Sequence, residues 1–172
     1  MGLIAILDGL IMKTLLLLRH AKSSWKQPNI NDHDRPLNKR GKMEAPKVGK
    51  YLKANELLPD LIISSTARRA QDTAQAVAEE SGYEREIGLY QDLYLSDTAC
   101  YLDIIQSLQD TVNRVLVVGH NPVMDELLTL LTDVAQHMTT AALAQIDLPI
   151  SSWQELNEAT DGRLQNLWTP RE

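Results

Sequence analysis

Three short apolar runs constrain this chain more than anything else in it: KTLLLLR (13–19), DLIISS (60–65) and RVLVVG (114–119). None of them alternates apolar with polar residues along its length. A run that is apolar at nearly every position must bury both of its faces, which is the condition of a strand in a parallel sheet covered by helices. Helix-like patterns lie between the runs. Asn38 is placed to cap a helix running to about Asn55, with Ala45, Val48 and Leu52 on its buried face. Gly41 and Pro46 predict a kink or a late start there. Residues 67–82 read as a helix capped by Ser65 or Thr66 and ended by Gly82, and residues 98–110 as one capped by Asp97 or Ser96. Asn121 and Pro122 suit the cap and first position of a helix through VMDELLTLL. Residues 86–94 predict a weak strand and a loop, 142–149 a strand, and 162–170 a final strand at an edge. Residues 27–38 and 150–161 are polar connections. Alternating strands and helices predict an α/β fold, a three-layer α/β/α sandwich around a largely parallel sheet.

A chain of 172 residues suggests one domain, which we assign to residues 12–172. The first eleven residues are apolar. They lack a basic leader, contain Asp8, and meet Lys13 before reaching the length of a membrane span. They read as an N-terminal extension, disordered or loosely packed, ahead of a second methionine at Met12. The net charge of −6 disfavours nonspecific contact with nucleic acid or an anionic membrane, and leaves room for a small cationic pocket. The single cysteine, Cys100, excludes an internal disulfide and fits a reducing cytoplasm. Its place in a predicted helix suits an ordinary neutral thiol.

The polar residues that matter fall at one edge of the predicted sheet. Arg19 and His20 end the first strand, Gly119 and His120 end the third, and Arg68 and Arg69 open the helix after the second. Ligands of open parallel sheets bind at the carboxyl ends of the strands. Two imidazoles and two or three guanidiniums converging there suit an anion, and a guanidinium fork suits phosphate in particular.

These residues carry a family resemblance. LLLLRHAKSSW (15–25) resembles the signature strand of the histidine phosphatase superfamily, the phosphoglycerate mutase-like proteins, with Ala21 where the family has glycine. SSTARRAQDTA (64–74) resembles its second motif and selects Arg69 over Arg68. VVGHNP (117–122) resembles its third, and DRPLNKRG (34–41) a further family stretch. RHAKSSW, the short chain and DRPL resemble the SixA-type branch of phosphohistidine phosphatases. The resemblance implies that His20 attacks phosphorus and becomes a transient phosphohistidine, while Arg19, Arg69 and His120 hold the phosphoryl oxygens. It implies no metal and no cofactor. The partner implied is a phosphohistidine protein or a small phosphorylated compound.

One departure is informative. Many family members carry a Glu after the fourth strand as general acid for the leaving alcohol. Leu95 stands at the aligned position, in DLYLSD (92–97), with Asp92 and Asp97 nearby. Loss of that acid harms a phosphomonoester substrate more than a phosphoramidate. A small-molecule phosphomonoesterase and a non-catalytic phosphate-binding module remain the alternatives. Lys22 and Ser24 are candidates either for substrate contact or for a solvated loop. Trp25 is expected to pack its loop, His33 and His137 to lie in polar connections, and Trp153 and Trp168 to belong to the core.

Overall fold

The three apolar runs become neighbours in one sheet. The computed structural model describes residues 5–7 and 10–171. Its strands are β1 (Ala5–Leu7), β2 (Leu10–Arg19), β3 (Leu61–Ser65), β4 (Gly88–Tyr90), β5 (Arg114–Gly119), β6 (Leu143–Leu148) and β7 (Arg163–Trp168). Its helices are α1 (Lys39–Ala54), α2 (Arg68–Ser81), α3 (Thr98–Gln106) and α4 (Val123–Thr132). The main path of the sheet is β4-β3-β5-β2-β6-β7. β4, β3, β5 and β2 pair in parallel, whereas β6 runs against both β2 and β7, so the sheet is mixed. β1 forms a hairpin with the start of β2, Ala5 opposite Met12. The second strand thus begins ahead of Lys13, inside the segment read as an extension.

Consecutive residues of β2 supply opposite layers, as a pleated strand requires. Leu15 and Leu17 join the core under α3 and α4, while Leu16 and Leu18 join the core under α1 and α2. All four are fully buried, which is why the run could be apolar throughout. These two cores on either side of the sheet make the three layers.

Several local expectations are corrected. α1 starts directly after its cap, where the Asn38 side chain accepts the Gly41 N–H, and it continues unbroken past Pro46. α2 is capped by neither Ser65 nor Thr66: Ala67 holds the cap position, and the Ser65 hydroxyl instead accepts the Ala67 N–H. α3 ends at Gln106, four residues early, after an N-cap bond from the Cys100 N–H to Asp97. Pro122 rather than Asn121 takes the cap position of α4, behind a cis Asn121–Pro122 bond. The Asn121 side chain accepts the Asp125 N–H and donates to the Met138 carbonyl. No helix among the described residues is long and apolar enough to cross a membrane.

Candidate active site

Strand register brings the two histidines together. Arg19 on β2 lies opposite Gly119 on β5, so the residues that follow, His20 and His120, emerge side by side with ring centroids 5.1 Å apart. The Arg19–His20 backbone is gripped from both flanks. The His20 N–H donates to the Gly119 carbonyl, the Arg19 N–H to the Ala142 carbonyl, and the Ala141 N–H to the carbonyls of Arg19 and His20. Both neighbouring strands thereby fix where these side chains start. Ala21 sits buried and outside the left-handed region, so the family's glycine is not needed there for backbone freedom. Its N–H donates to the Thr73 hydroxyl, which donates in turn to the Arg69 carbonyl. The second motif is tied to the first in this way. Gly119 has a steric reason to be glycine, because a Cβ there would collide with the Tyr101 hydroxyl.

The His20 ring is oriented for nucleophilic work. Its Nδ1 lies 2.7 Å from the Ala21 carbonyl, an acceptor only, so Nδ1 carries the proton. The lone pair is therefore on Nε2, which accepts a long 3.4 Å bond from Arg69 Nε. Burial, above all, and the guanidiniums of Arg69, Arg19 and Arg35 push the His20 pKa down to about 4, against the contrary pull of the Ala21 carbonyl. Burial thus outranks the arginines as the reason this imidazole is neutral. His120 is lowered to about 3, first by burial and then by His20 and Arg69. Its Nε2 lies 2.8 Å from Ser65 Oγ. Among the described residues the Ser65 hydroxyl proton has no other acceptor, so it serves His120 Nε2 and leaves Nδ1–H as the ring's free donor. His120 Nδ1 and Arg19 Nε are both buried without a protein partner. Buried donors of this kind suit an anion.

Arg69, Arg35 and Tyr94 meet on one carboxylate. Asp32 Oδ2 accepts from Arg69 Nη2 at 3.0 Å and from the Tyr94 hydroxyl at 2.6 Å, and Oδ1 accepts from Arg35 Nε at 3.0 Å. The Asp32 carbonyl takes Arg69 Nη1 as well. Partial burial opposes ionisation of Asp32, but the Tyr94 hydroxyl and the two guanidiniums outweigh it and hold the pKa down to about 2. Arg35 also donates to the Ser23 hydroxyl and lies 3.5 Å above the Trp25 ring.

These groups line a cavity of about 580 Å³ that includes Arg19, His20, Arg35, Arg69 and His120. Of the two candidates for substrate contact or a solvated loop, Lys22 reaches this cavity and Ser24 does not. The Ser23–Leu37 bridge turns Ser23 inward instead, and the Ser24 hydroxyl accepts the Lys26 N–H. Trp25 is 73% exposed at the cavity rim, and its ring lies under the Arg35 guanidinium of the following loop. Leu95 lines the cavity, is 83% exposed and has its backbone at φ +49°. Asp92 and Asp97 lie outside it, Asp97 being used as the α3 cap. No carboxylate stands in the cavity lining among the described residues.

Other candidates go elsewhere. Arg68 is exposed and pairs with Asp72. His33 is held by the Thr66 hydroxyl, and His137 by Asp125. Trp153 is fully buried and donates to the Val112 carbonyl, while Trp168 is half-buried and stacks on Tyr51. Cys100 is half-buried, and its hydrogen bond to Asp97 raises the thiol pKa, away from thiolate chemistry. Sequence reading missed Asp32, Arg35, Tyr94 and Ser65 as site residues. The only signal was the Asp-x-x-Arg spacing that leads into DRPL.

Comparison with known proteins places the chain in a family. Residues 15–93 match the family model described as histidine phosphatase superfamily (branch 1). An uncharacterised chloroplastic protein of Arabidopsis thaliana is 33% identical over 154 residues, covering 84% of this chain and 71% of that protein. A crystal structure from Agrobacterium tumefaciens, assigned as the phosphohistidine phosphatase SixA, is 31% identical with a TM-score of 0.77, covering 92% of this chain and 98% of that one. Another structure with the same assignment, from Nakamurella multipartitia, is 25% identical with a TM-score of 0.82, covering 94% and 98%.

Proposed function

Because this chain belongs to the histidine phosphatase superfamily, we propose that it is a phosphohistidine phosphatase of the SixA kind, acting through a covalent phosphohistidine on His20. The phosphatase class follows from the family. The choice of substrate rests on one observation: a cavity rich in cations whose lining has Leu95 at the position where the family resemblance would put an acid, and no carboxylate among the described residues. An alkoxide leaving group needs a proton delivered as its bond to phosphorus breaks. An imidazole leaving group takes the electron pair onto a nitrogen that water can protonate, so the missing acid costs little.

In this reading Nε2 of His20 forms a bond to phosphorus as the substrate's P–N bond breaks. Arg19, Arg69 and Nδ1–H of His120 hold the phosphoryl oxygens and stabilise the charge spread over them, the work a metal ion does elsewhere. Water then attacks phosphorus, the His20–P bond breaks, and the imidazole returns to its neutral form. The low pKa of His20 supports this role by keeping its lone pair free at neutral pH. Asp32 is ionised and already holds three donors, so we assign it to positioning Arg69 and not to proton delivery. The free thiol suits a reducing compartment, and the cytoplasm is the location we propose.

The test is phosphate release from a phosphohistidine peptide and a phosphoserine peptide in parallel, with wild type and His20→Ala. We expect release from phosphohistidine, lost by roughly 10⁴-fold in the variant. Equal or faster release from phosphoserine would overturn the substrate assignment, and activity surviving His20→Ala would overturn the covalent route.

A further inference from the structure

Charge on this protein is segregated. The chain as a whole carries −6, yet α1 alone holds Lys39, Arg40, Lys42, Lys47, Lys50 and Lys53 against a single carboxylate, Glu44. All six cations are exposed, and among the described residues only Arg40 is in an ion pair. That pair is with Glu44, which is itself buried and doubly held by Arg171. The helix therefore presents no carboxylate of its own to solvent.

This cationic helix is built onto the mouth of the cavity. The Asn38 N–H donates to the Lys22 carbonyl, and a Cβ on Gly41 would run into that same carbonyl oxygen, so the start of α1 lies directly against the loop that carries Lys22 and Trp25. Beside it runs an open groove of about 460 Å³ between Lys26 and α1, lined by Lys26, Lys39, Arg40, Met43 and Lys47 together with Glu44, whose carboxylate is already paired with Arg40 and Arg171. Met43 is 60% exposed in this groove, and Trp25 is 73% exposed at the neighbouring cavity rim. Lys22 thus lines the phosphate pocket, and Lys26, Lys39, Arg40 and Lys47 line the groove beside the same loop, with Trp25 and Met43 as exposed apolar contacts.

We propose that this strip docks an acidic segment of the phosphorylated protein substrate. Carboxylates of the segment pair with Lys26, Lys39 and Lys47, an apolar side chain lies on Met43, and the phosphohistidine enters beside Trp25. The inference rests on the phosphohistidine reading and adds the chemistry of the partner. Charge complementarity favours an acidic partner, and the burial pattern favours a protein over a lipid surface. A helix that binds membranes inserts its apolar face, whereas that face of α1, with Ala45, Val48 and Leu52, is buried against α2, Gly49 lying directly on the Val77 carbonyl.

The experiment uses a fluorescein-labelled, unphosphorylated peptide rich in Asp and Glu, and its Asn/Gln counterpart, titrated with wild type and with the Lys39→Gln/Lys47→Gln protein. The acidic peptide binds wild type more tightly than the amide peptide, loosens about three- to tenfold in the double variant, and loosens with salt. In parallel, kcat/KM for a phosphohistidine peptide with acidic flanks falls by a similar factor in the variant through KM, while turnover of phosphoimidazole stays level. Equal binding of the two peptides, an unchanged variant, or an equal loss on phosphoimidazole overturns the proposal. Tight binding to anionic lipid vesicles with no preference between the peptides also overturns it. Because peptide binding needs no turnover, docking can stand if phosphohistidine hydrolysis fails, and can fail if hydrolysis stands.

Discussion

The part of β2 that runs through the main sheet carries a cation at each end, and the two are treated differently. At the amino end Lys13 is 2% exposed, and its ammonium donates to the Asp110 carbonyl, the Val112 carbonyl and the Asn113 side chain. Its three protons have three protein acceptors, so nothing is left over for a ligand. At the carboxyl end Arg19 gives one bond to the Met138 carbonyl and keeps a buried Nε without a protein partner, as does the neighbouring His120 Nδ1. One end is a closed knot, and the other is a set of donors that converge on a cavity. Hydrogen-bond satisfaction, more than charge, separates Lys13 from Arg19.

That contrast predicts two opposite kinds of damage. Arg19→Ala should lower kcat/KM by roughly 10²–10³, the scale of losing a preorganised donor to transition-state charge, with a smaller change in the folding midpoint. Lys13→Met should lower stability by about 1–3 kcal/mol, because buried acceptors lose their donor, while activity per folded molecule stays near wild type. Urea unfolding and phosphohistidine kinetics on both variants check the pair. A Lys13 variant that folds normally but loses activity would break the division between the ends.

Asp32→Asn sharpens the comparison within the pocket. Arg69 keeps its charge but loses the carboxylate that aims it, so kcat/KM should fall about tenfold. Arg69→Lys in the Asp32→Asn background should then cost less than it does in wild type, which is the signature of a positioning residue. Leu95→Glu restores an acid at the cavity rim. It should raise phosphoserine turnover severalfold, a fraction of what a well-placed general acid supplies, and leave phosphohistidine turnover nearly unchanged.

The smallest effect expected is on the pH profile. With His20 lowered to about 4 and His120 to about 3, the enzyme's contribution to kcat/KM should be flat from pH 5 to 8. Stability should not be flat. Both histidines titrate lower in the folded chain than near 6.5 in the unfolded chain, so the unfolded state binds protons first on acidification. Their contribution is full above about 6.5 and is lost as pH falls through about 4 and then about 3. Asp32, held at about 2, stays charged throughout that window. Denaturant midpoints across the range, compared with those of His20→Gln, measure the term.

The parts of the molecule that were legible in the sequence follow the same line. Strands β2, β3 and β5 were readable because burial on both faces leaves no polar residue in the middle of the run. Arg19, His20 and His120 were readable because they follow apolar strands at one sheet edge, whereas Arg69 was singled out from Arg68 only by the resemblance to the family's second motif. Asp32, Arg35 and Tyr94 come from polar loops where such residues are ordinary, and Asp32 becomes a hub only through contacts 37 and 62 residues away in sequence. Ser65 was read as a cap because a serine before a helix usually is one, and its bond to His120 depends on β3 and β5 being neighbours. Ser23 was passed over for Ser24 because loop composition does not reveal which side chain an isolated bridge turns inward.

The central claim is that His20 carries the phosphoryl group in transit. Rapid mixing with a phosphohistidine peptide, an alkaline quench that preserves phosphoramidates, and intact and peptide-level mass spectrometry would test it directly. The account predicts one added phosphoryl group that appears before free phosphate accumulates, maps to His20 and is absent in His20→Ala. Turnover with no protein-bound phosphoryl group, or with the group on His120, would contradict it.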